Sequence, residues 1–346
     1  MTLKRTLHLS ALTGLAFALA ACGGQNTETS SSGNTGAGAM GGQAMGAMGG
    51  QAMGAMGGQA MGAMGGQAMG AQAMGGQAMG AAGANTEAQR SITNVAGNVH
   101  LFRNNNHNAL LIDTNDGLVL VDPIQNEAAT WIAAEGQKQF GKPITHILYS
   151  HAHWDHATGA AQIPGAEVIA HANAAATIEA GGTRAEFIKV PDTTYNTPVN
   201  KLDIGGTKIE MHHVPNGHTD DMSYIYLPET DILFVVDVIS VNQIPWGALP
   251  WYEKDDFENI IDSALKFNAS IVTGGHGAIG TSENIKELRS YMNTLRSEVS
   301  AAIANGQTLE QMQASITMDA YKDWQFYDSR LSANIEGMHK ALLAEG

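Results

Sequence analysis

The chain has 346 residues, with 33 acidic against 18 basic side chains and a formal charge of −15, a field that repels polyanions and argues against a nucleic-acid partner. Its single cysteine, Cys22, lies near the N-terminus, so a disulfide framework, a cysteine metal ligand and a catalytic thiol are all excluded from the body of the chain.

Residues 1–21 read as a secretory signal, in which Lys4 and Arg5 precede an uncharged run rich in Leu and Ala. The run is shorter than the roughly 20 apolar residues a membrane-spanning helix needs. It ends Leu19-Ala20-Ala21-Cys22, which resembles a bacterial lipobox. That resemblance implies cleavage before Cys22, lipidation there and a membrane tether in the cell envelope. Gly23, where an Asp would direct retention, implies the outer membrane over the inner. Without Lys4 and Arg5 the chain keeps 16 basic and 33 acidic residues, a charge near −17.

Residues 22–89 form the second segment, the lipidated cysteine followed by low-complexity sequence. The unit GGQAMGAM starts at 41, 49 and 57, and variants follow at 65 and 75. Glycine at this density holds neither helix nor strand, and a period of eight matches no solenoid repeat. A flexible tether is the expectation, with a typical reach of about 45 Å by Gly-rich chain scaling. Its methionines, Met40 through Met79, offer the alternative of soft thioether ligands for Cu(I) or sacrificial oxidant targets.

Residues 90–346 are long enough for one large α/β domain. Strands are expected at 98–103, 109–113 and 118–122, with Asn115-Asp116-Gly117 turning between the last two. A helix at 125–140 and a strand at 144–149 follow, then a short helix after Asp155, a strand at 167–171 and a helix at 173–180. A meander is expected at 201–204, 208–214, 223–227 and 232–237, then a helix at 253–267, a buried strand at 270–273 and two or three helices between 282 and 344. Strands, helices, strands and helices in that order suggest two β-rich halves covered by helices.

Chemistry concentrates in Tyr149-Ser150-His151-Ala152-His153-Trp154-Asp155-His156. Three imidazoles and a carboxylate within six residues, directly after an apolar strand, suit Zn2+, Mn2+ or Fe2+. Three later strand ends carry matching residues: His218 in Gly217-His218-Thr219, Asp237 after the apolar run from Ile232, and His276 in Gly275-His276-Gly277. His100, His107, His146, His171, His212, His213 and His339 read as surface or core residues. His212 and His213 are consecutive on one strand and face opposite sides.

This set resembles the metallo-β-lactamase superfamily, whose H-x-H-x-D-H motif matches His151, His153, Asp155 and His156 and whose later motifs match His218, Asp237 and His276 in order. The resemblance implies an αββα sandwich of two mixed sheets flanked by helices. It implies two metal ions, zinc foremost, with His151, His153 and His218 on the first, Asp155, His156 and His276 on the second, and Asp237 between them. The activity implied is hydrolysis by a metal-bridging hydroxide that Asp155 steers, on a small ester, lactone, thioester or amide. The alternatives are a β-lactamase and, from another class, a metal-scavenging envelope lipoprotein. His153 stands where the flavo-diiron branch carries Glu, which lowers redox iron. Asp237 stands where β-lactamase groups carry Cys or Ser. Asn108 reads as structural. Trp154, Trp246, Trp251 and Tyr252 are candidates for an apolar substrate wall.

Overall fold

Alternation along single strands decides which face of each sheet is covered by what. In the strand His107–Thr114, Leu110 and Ile112 join the core between two sheets, whereas Ala109 and Leu111 join a second core beneath helices. Both sets are fully buried, because a strand at the centre of a layered domain has no solvent face.

The computed structural model describes residues 88–181, 185–249 and 256–345; the signal-like segment, Cys22 and the Met-rich repeats lie outside the described residues. The first sheet runs in chain order through β1 (Arg90–Ala96), β2 (Val99–Asn104), β3 (His107–Thr114), β4 (Gly117–Val121), β5 (Ile144–Leu148), β6 (Glu167–His171) and β7 (Thr193–Tyr195). It is antiparallel from β1 to β4 and parallel from β4 to β7. The parallel connections carry α1 (Asn126–Phe140), α2 (Trp154–Ala157) and α3 (Ala172–Ala180). In α1 the buried residues are Ala128, Ala129, Ile132 and Gly136, one stripe of a helix, and this stripe packs into the second core.

The second sheet contains β8 (Val199–Ile204), β9 (Thr207–His213), β10 (Ser223–Leu227), β11 (Ile232–Phe234), β12 (Ile271–Thr273) and β13 (Ile279–Gly280), in the spatial order β13-β12-β11-β10-β9-β8. Only β11 and β12 pair in parallel, joined through α4 (Asp256–Leu265). Ser223 on β10 meets Tyr195 of the first sheet at 2.6 Å, whereas Tyr224 donates to the Ile260 carbonyl of α4. The helices α5 (Ser282–Ala304), α6 (Leu309–Ser315) and α7 (Tyr327–Glu345) complete the outer layer. The result is the expected αββα sandwich of two mixed sheets.

Several expectations need correction. The strand expected at 232–237 ends at Phe234, and Asp237, three residues beyond it, takes a left-handed φ of 57° that no strand tolerates. Strands β1, β7 and β13 were not expected from the sequence. The helix expected from 253 is described only from Asp256. Among the described residues no helix is long and apolar enough to cross a membrane.

One buried side chain ties α7 to the segment that follows Asp237. Asn334, fully buried, donates from Nδ2 to the carbonyls of Pro245 and Gly247, and its Oδ1 accepts from the Tyr291 hydroxyl at 2.9 Å. Asn334→Ala orphans these groups and is expected to lower stability by about 2–4 kcal/mol, read as a shift of the urea midpoint with an unchanged slope.

Candidate active site

All the singled-out ligand types converge where the carboxyl ends of β5 and β12 meet the loops after β9 and β11. Ligand atoms of His151, His153, His218 and Asp237 lie within 4.8 Å of one another, as do those of Asp155, His156, Asp237 and His276. Asp237 belongs to both groups. Its Oδ2 is 3.4 Å from His151 Nε2 and 3.6 Å from His218 Nε2. Its Oδ1 is 3.2 Å from His156 Nε2 and 3.3 Å from His276 Nε2.

Local structure dictates how the first loop presents its imidazoles. Asp122, fully buried at φ 61°, accepts the Ser150 backbone N–H at 2.8 Å and the Ser150 hydroxyl at 2.6 Å. The Ser150 proton is thereby committed to Asp122. Its Oγ, 3.1 Å from His151 Nδ1, is left to accept, so Nδ1 carries the imidazole hydrogen. His151 Nε2 then presents a bare lone pair, buried and without a hydrogen-bond partner, opposite the acceptor Asp237 Oδ2. Asp122 Oδ2 also lies 3.4 Å from His156 Nδ1, an ion-pair contact without a hydrogen bond. This is the shell that metal-ligating histidines require, with the far ring nitrogen fixed by a carboxylate or hydroxyl. Asp221, buried, accepts the Ala152 N–H at 2.7 Å and pins the middle of the same loop.

The turn bearing His276 is gripped from the other sheet. The Asn108 N–H donates to the Gly275 carbonyl at 2.7 Å, its Nδ2 donates to the Gly274 and Gly277 carbonyls at 3.1 Å each, and Arg103 Nη2 donates to Gly277 at 2.6 Å. Asn108 is structural, as expected. At Gly275 a Cβ would fall 2.6 Å from His156 Cε1 and 2.8 Å from Asp237 Oδ1, so only glycine lets the backbone approach the cluster. Asp122, Ile124 and Asp237 all have left-handed φ angles, and the Ile124 N–H donates to the His156 carbonyl at 2.8 Å. Such conformations cost of order 1–3 kcal/mol each and mark backbone bent to deliver a site.

The electrostatics fit a cation acceptor. Burial first, then the neighbouring imidazoles, push His153 down to about 4 and His218 down to about 3. The two rings are therefore neutral at ordinary pH, with His218 Nε2 3.0 Å from His153 Nδ1. Burial opposes charge on His156, but Asp237 and Asp122 outweigh it and hold its imidazolium well above the usual value. Burial likewise opposes ionisation of Asp237 and Asp155, and it is overcome, chiefly by the charge of His156 at Asp237 and by His107 and His156 at Asp155. The neutral rings of His153 and His218, the ionised carboxylates and the lone pair of His151 facing Asp237 make a donor set for divalent ions, whose binding would displace the proton on His156.

Beside the cluster lies a cleft of about 440 Å³, bordered by Trp154 and Trp246. Trp251 and Tyr252 lie outside the described residues. His107, expected to stand apart, does not: its Nε2 is 3.5 Å from Asp155 Oδ2 and its ring packs 4.5 Å from His276. Asp122 was also missed, although a carboxylate closing the apolar run of β4 is the same signal that singled out Asp237. His212 meets Phe267 while His213 stacks on His171, opposite sides of β9 as expected.

A two-sheet sandwich with this cluster at its strand ends defines a metal-dependent hydrolase. A family model described as the metallo-beta-lactamase superfamily matches residues 103–290, and the chain belongs to that superfamily. It is similar to a metallo-beta-lactamase type 2 from Bacillus sp. (strain 170), 28% identical over 183 residues that cover 50% of this chain and 67% of that protein. Among solved structures it is similar to a metallo-beta-lactamase from Pontibacter korlensis, with 21% identity, 58% of this chain and 98% of the other covered, and a TM-score of 0.51. A sec-alkylsulfatase from Pseudomonas sp. covers more of this chain, 73%, over 50% of its own length, at 17% identity and a TM-score of 0.57. At these identities the solved structures speak for the fold alone.

The depressed imidazoles carry a pH signature. The unfolded chain protonates such rings near the ordinary value of 6.5, whereas folded His153 and His218 resist until about 4 and about 3. The unfolded state thus binds more protons in that window, and the chelator-treated protein is expected to lose stability as pH falls from about 6.5 towards 4. His100 and His171, lowered by burial, add in the same direction, while His156, already protonated, does not offset them below 6.5. Urea midpoints across this range check it, and His218→Gln is expected to flatten the slope.

Proposed function

We propose that the chain is a di-zinc hydrolase of a small ester, lactone, thioester or amide. The observation that carries this reading is the pair of ligand groups sharing Asp237, in which buried lone pairs converge on carboxylate oxygens. His151, His153 and His218 would hold the first ion, and Asp155, His156 and His276 the second, with Asp237 serving both. The set is nitrogen and oxygen without sulfur, which suits Zn2+ and leaves Mn2+ and Fe2+ as outcomes of metal analysis. Bound divalent ions supply Lewis acidity and bring the ionisation of water towards neutral pH.

The chain's own residues do the rest. Asp155, ionised at ordinary pH, orients the attacking water and accepts its proton on a carboxylate oxygen. His107, 3.5 Å from Asp155 Oδ2, holds that carboxylate in place. Trp154 and Trp246 border the cleft and exclude water from one wall of the substrate. With Cys22 the only thiol in the sequence, no cysteine nucleophile competes with water.

A second reading, a β-lactamase, is favoured by the similarity to metallo-beta-lactamases type 2 of two bacilli. The presence of Asp237 where those groups carry Cys or Ser weighs against it. We further propose that residues 1–21 direct export and that lipidated Cys22 and the repeat to residue 89 tether the hydrolase domain, residues 90–346, to the envelope, outer membrane before inner. Labelling with an alkynyl fatty acid, lost in Cys22→Ser, tests the tether.

Metal analysis and a hydrolysis panel on the zinc-loaded full chain test the enzyme. Turnover of esters, lactones, thioesters or amides with slow nitrocefin cleavage is the expected result; efficient nitrocefin turnover alone would favour the second reading. His218→Ala and Asp237→Ala are expected to lose bound zinc and to lower kcat/KM more than about a hundredfold. Retention of both zinc and activity in either variant would remove the proposed ligand set.

A further inference from the structure

The cleft beside the cluster holds one permanent cation. Among its described lining residues Arg330 is the sole arginine or lysine, in a chain whose formal charge is −15. Arg330 lies on α7, beyond residue 290, where the superfamily match ends.

Its guanidinium is held in place. Nη1 donates to the Ile244 carbonyl at 3.1 Å, and the head lies 3.7 Å from the Phe326 ring and 5.0 Å from the Trp246 ring. Two aromatic faces and one carbonyl fix the plane of the fork but neutralise nothing. Arg289 meets Glu258 and Asp262, and Arg296 meets Glu345, whereas Arg90 and Arg103 donate to the neutral oxygens of Asn104 and Gly277. Arg330 has no carboxylate partner among the described residues. Burial alone disturbs it, lowering its hold on the proton, with no anion working the other way. An immobilised, half-buried, unpaired guanidinium with most of its five donors unused is poised for a planar oxyanion.

We propose that Arg330 anchors an anionic substituent, a carboxylate in the simplest case, on a substrate whose apolar body lies against Trp246, Pro245 and Phe257 of the same cleft. The inference rests on the reading of the cluster as the hydrolytic centre, and it narrows the substrate class to an anionic, partly apolar ester, thioester, lactone or amide. Charge-assisted hydrogen bonds from a fixed fork discriminate against the uncharged analogue by about tenfold or more. A clamp role alone, stapling α7 to the segment at 244–246, would affect every substrate equally.

The test compares monophenyl suberate with the phenyl ester of suberamic acid, which differs only in carrying a neutral carboxamide at the far end. For the zinc-loaded full chain, the acid is expected to exceed the amide in kcat/KM by about tenfold, mostly through KM, and added NaCl is expected to shrink that ratio. Arg330→Gln is expected to abolish the preference and Arg330→Lys to restore part of it. A preference that survives in Arg330→Gln, an equal loss on both esters, or a wild-type ratio near one would overturn the inference. Where Arg330→Gln fails to fold, Arg330→Met, which keeps the apolar stem packed beside Trp246 and Phe326, carries the same comparison. Should neither ester turn over, the hydrolase reading fails on this substrate class, and calorimetric titration of octanoate against octanamide still decides Arg330. Tighter octanoate binding, lost in Arg330→Gln, supports the anchor, and equal binding of the two overturns it.

Discussion

Buried acceptors that face one another are the constraint on which this protein depends. His151 Nε2 and Asp237 Oδ2 are aimed together at 3.4 Å, and the other oxygen of the same carboxylate lies 3.2 Å from His156 Nε2. In an apolar interior such an arrangement costs free energy unless a cation stands between the partners. Without a divalent ion the proton on His156 supplies part of that charge, which is why Asp237 and Asp122 hold it so firmly. A pocket of this kind is built for ions, and its construction accounts for much of the surrounding structure.

Two sheets are needed because the ligands come from both. The first loop follows β5, while His218, Asp237 and His276 follow β9, β11 and β12. Their mutual distances therefore depend on the packing of one sheet on the other, through a core containing Leu110, Ile112, Ile225 and Leu233. The hydrogen bonds from Asn108 and Arg103 to the turn bearing His276 fix that relation directly at the site. Asp122 serves the same end within the first sheet, since one carboxylate orients Ser150 and, through it, His151.

The cleft beside the cluster is shaped by a different part of the chain. Helix α7 supplies Arg330, and Asn334 on the same helix holds the carbonyls of Pro245 and Gly247. Chemistry and recognition are thus carried by separable layers: strand ends hold the cluster, and a helix outside the superfamily match borders the substrate space. Both meet in the segment after Asp237, where Trp246 packs under Arg330 and lines the cleft.

The seven ligand candidates were legible in the sequence because their chemistry is improbable elsewhere. Three imidazoles and a carboxylate within six residues, and an Asp after five apolar residues, have few other uses. The central strands were legible because a strand buried on both faces reads as a continuous apolar run, as in Gly117–Val121. Strands β1, β7 and β13 were not, since no residue of β1 is buried and the other two are very short, with little or no apolar pattern of their own. Nothing local marked His107 or Arg330. His107 gains its place because β3 of one sheet bridges to the His276 turn of the other, and Arg330 because a late helix folds back over the segment at 244–246. A motif records which atoms are able to bind an ion, and that much the sequence determined by itself. Which neighbours orient those atoms, and which cation faces the substrate, were decided by contacts between residues distant in the chain, such as Asp122 and Ser150 or Arg330 and Ile244, and these exist only once the layers have packed.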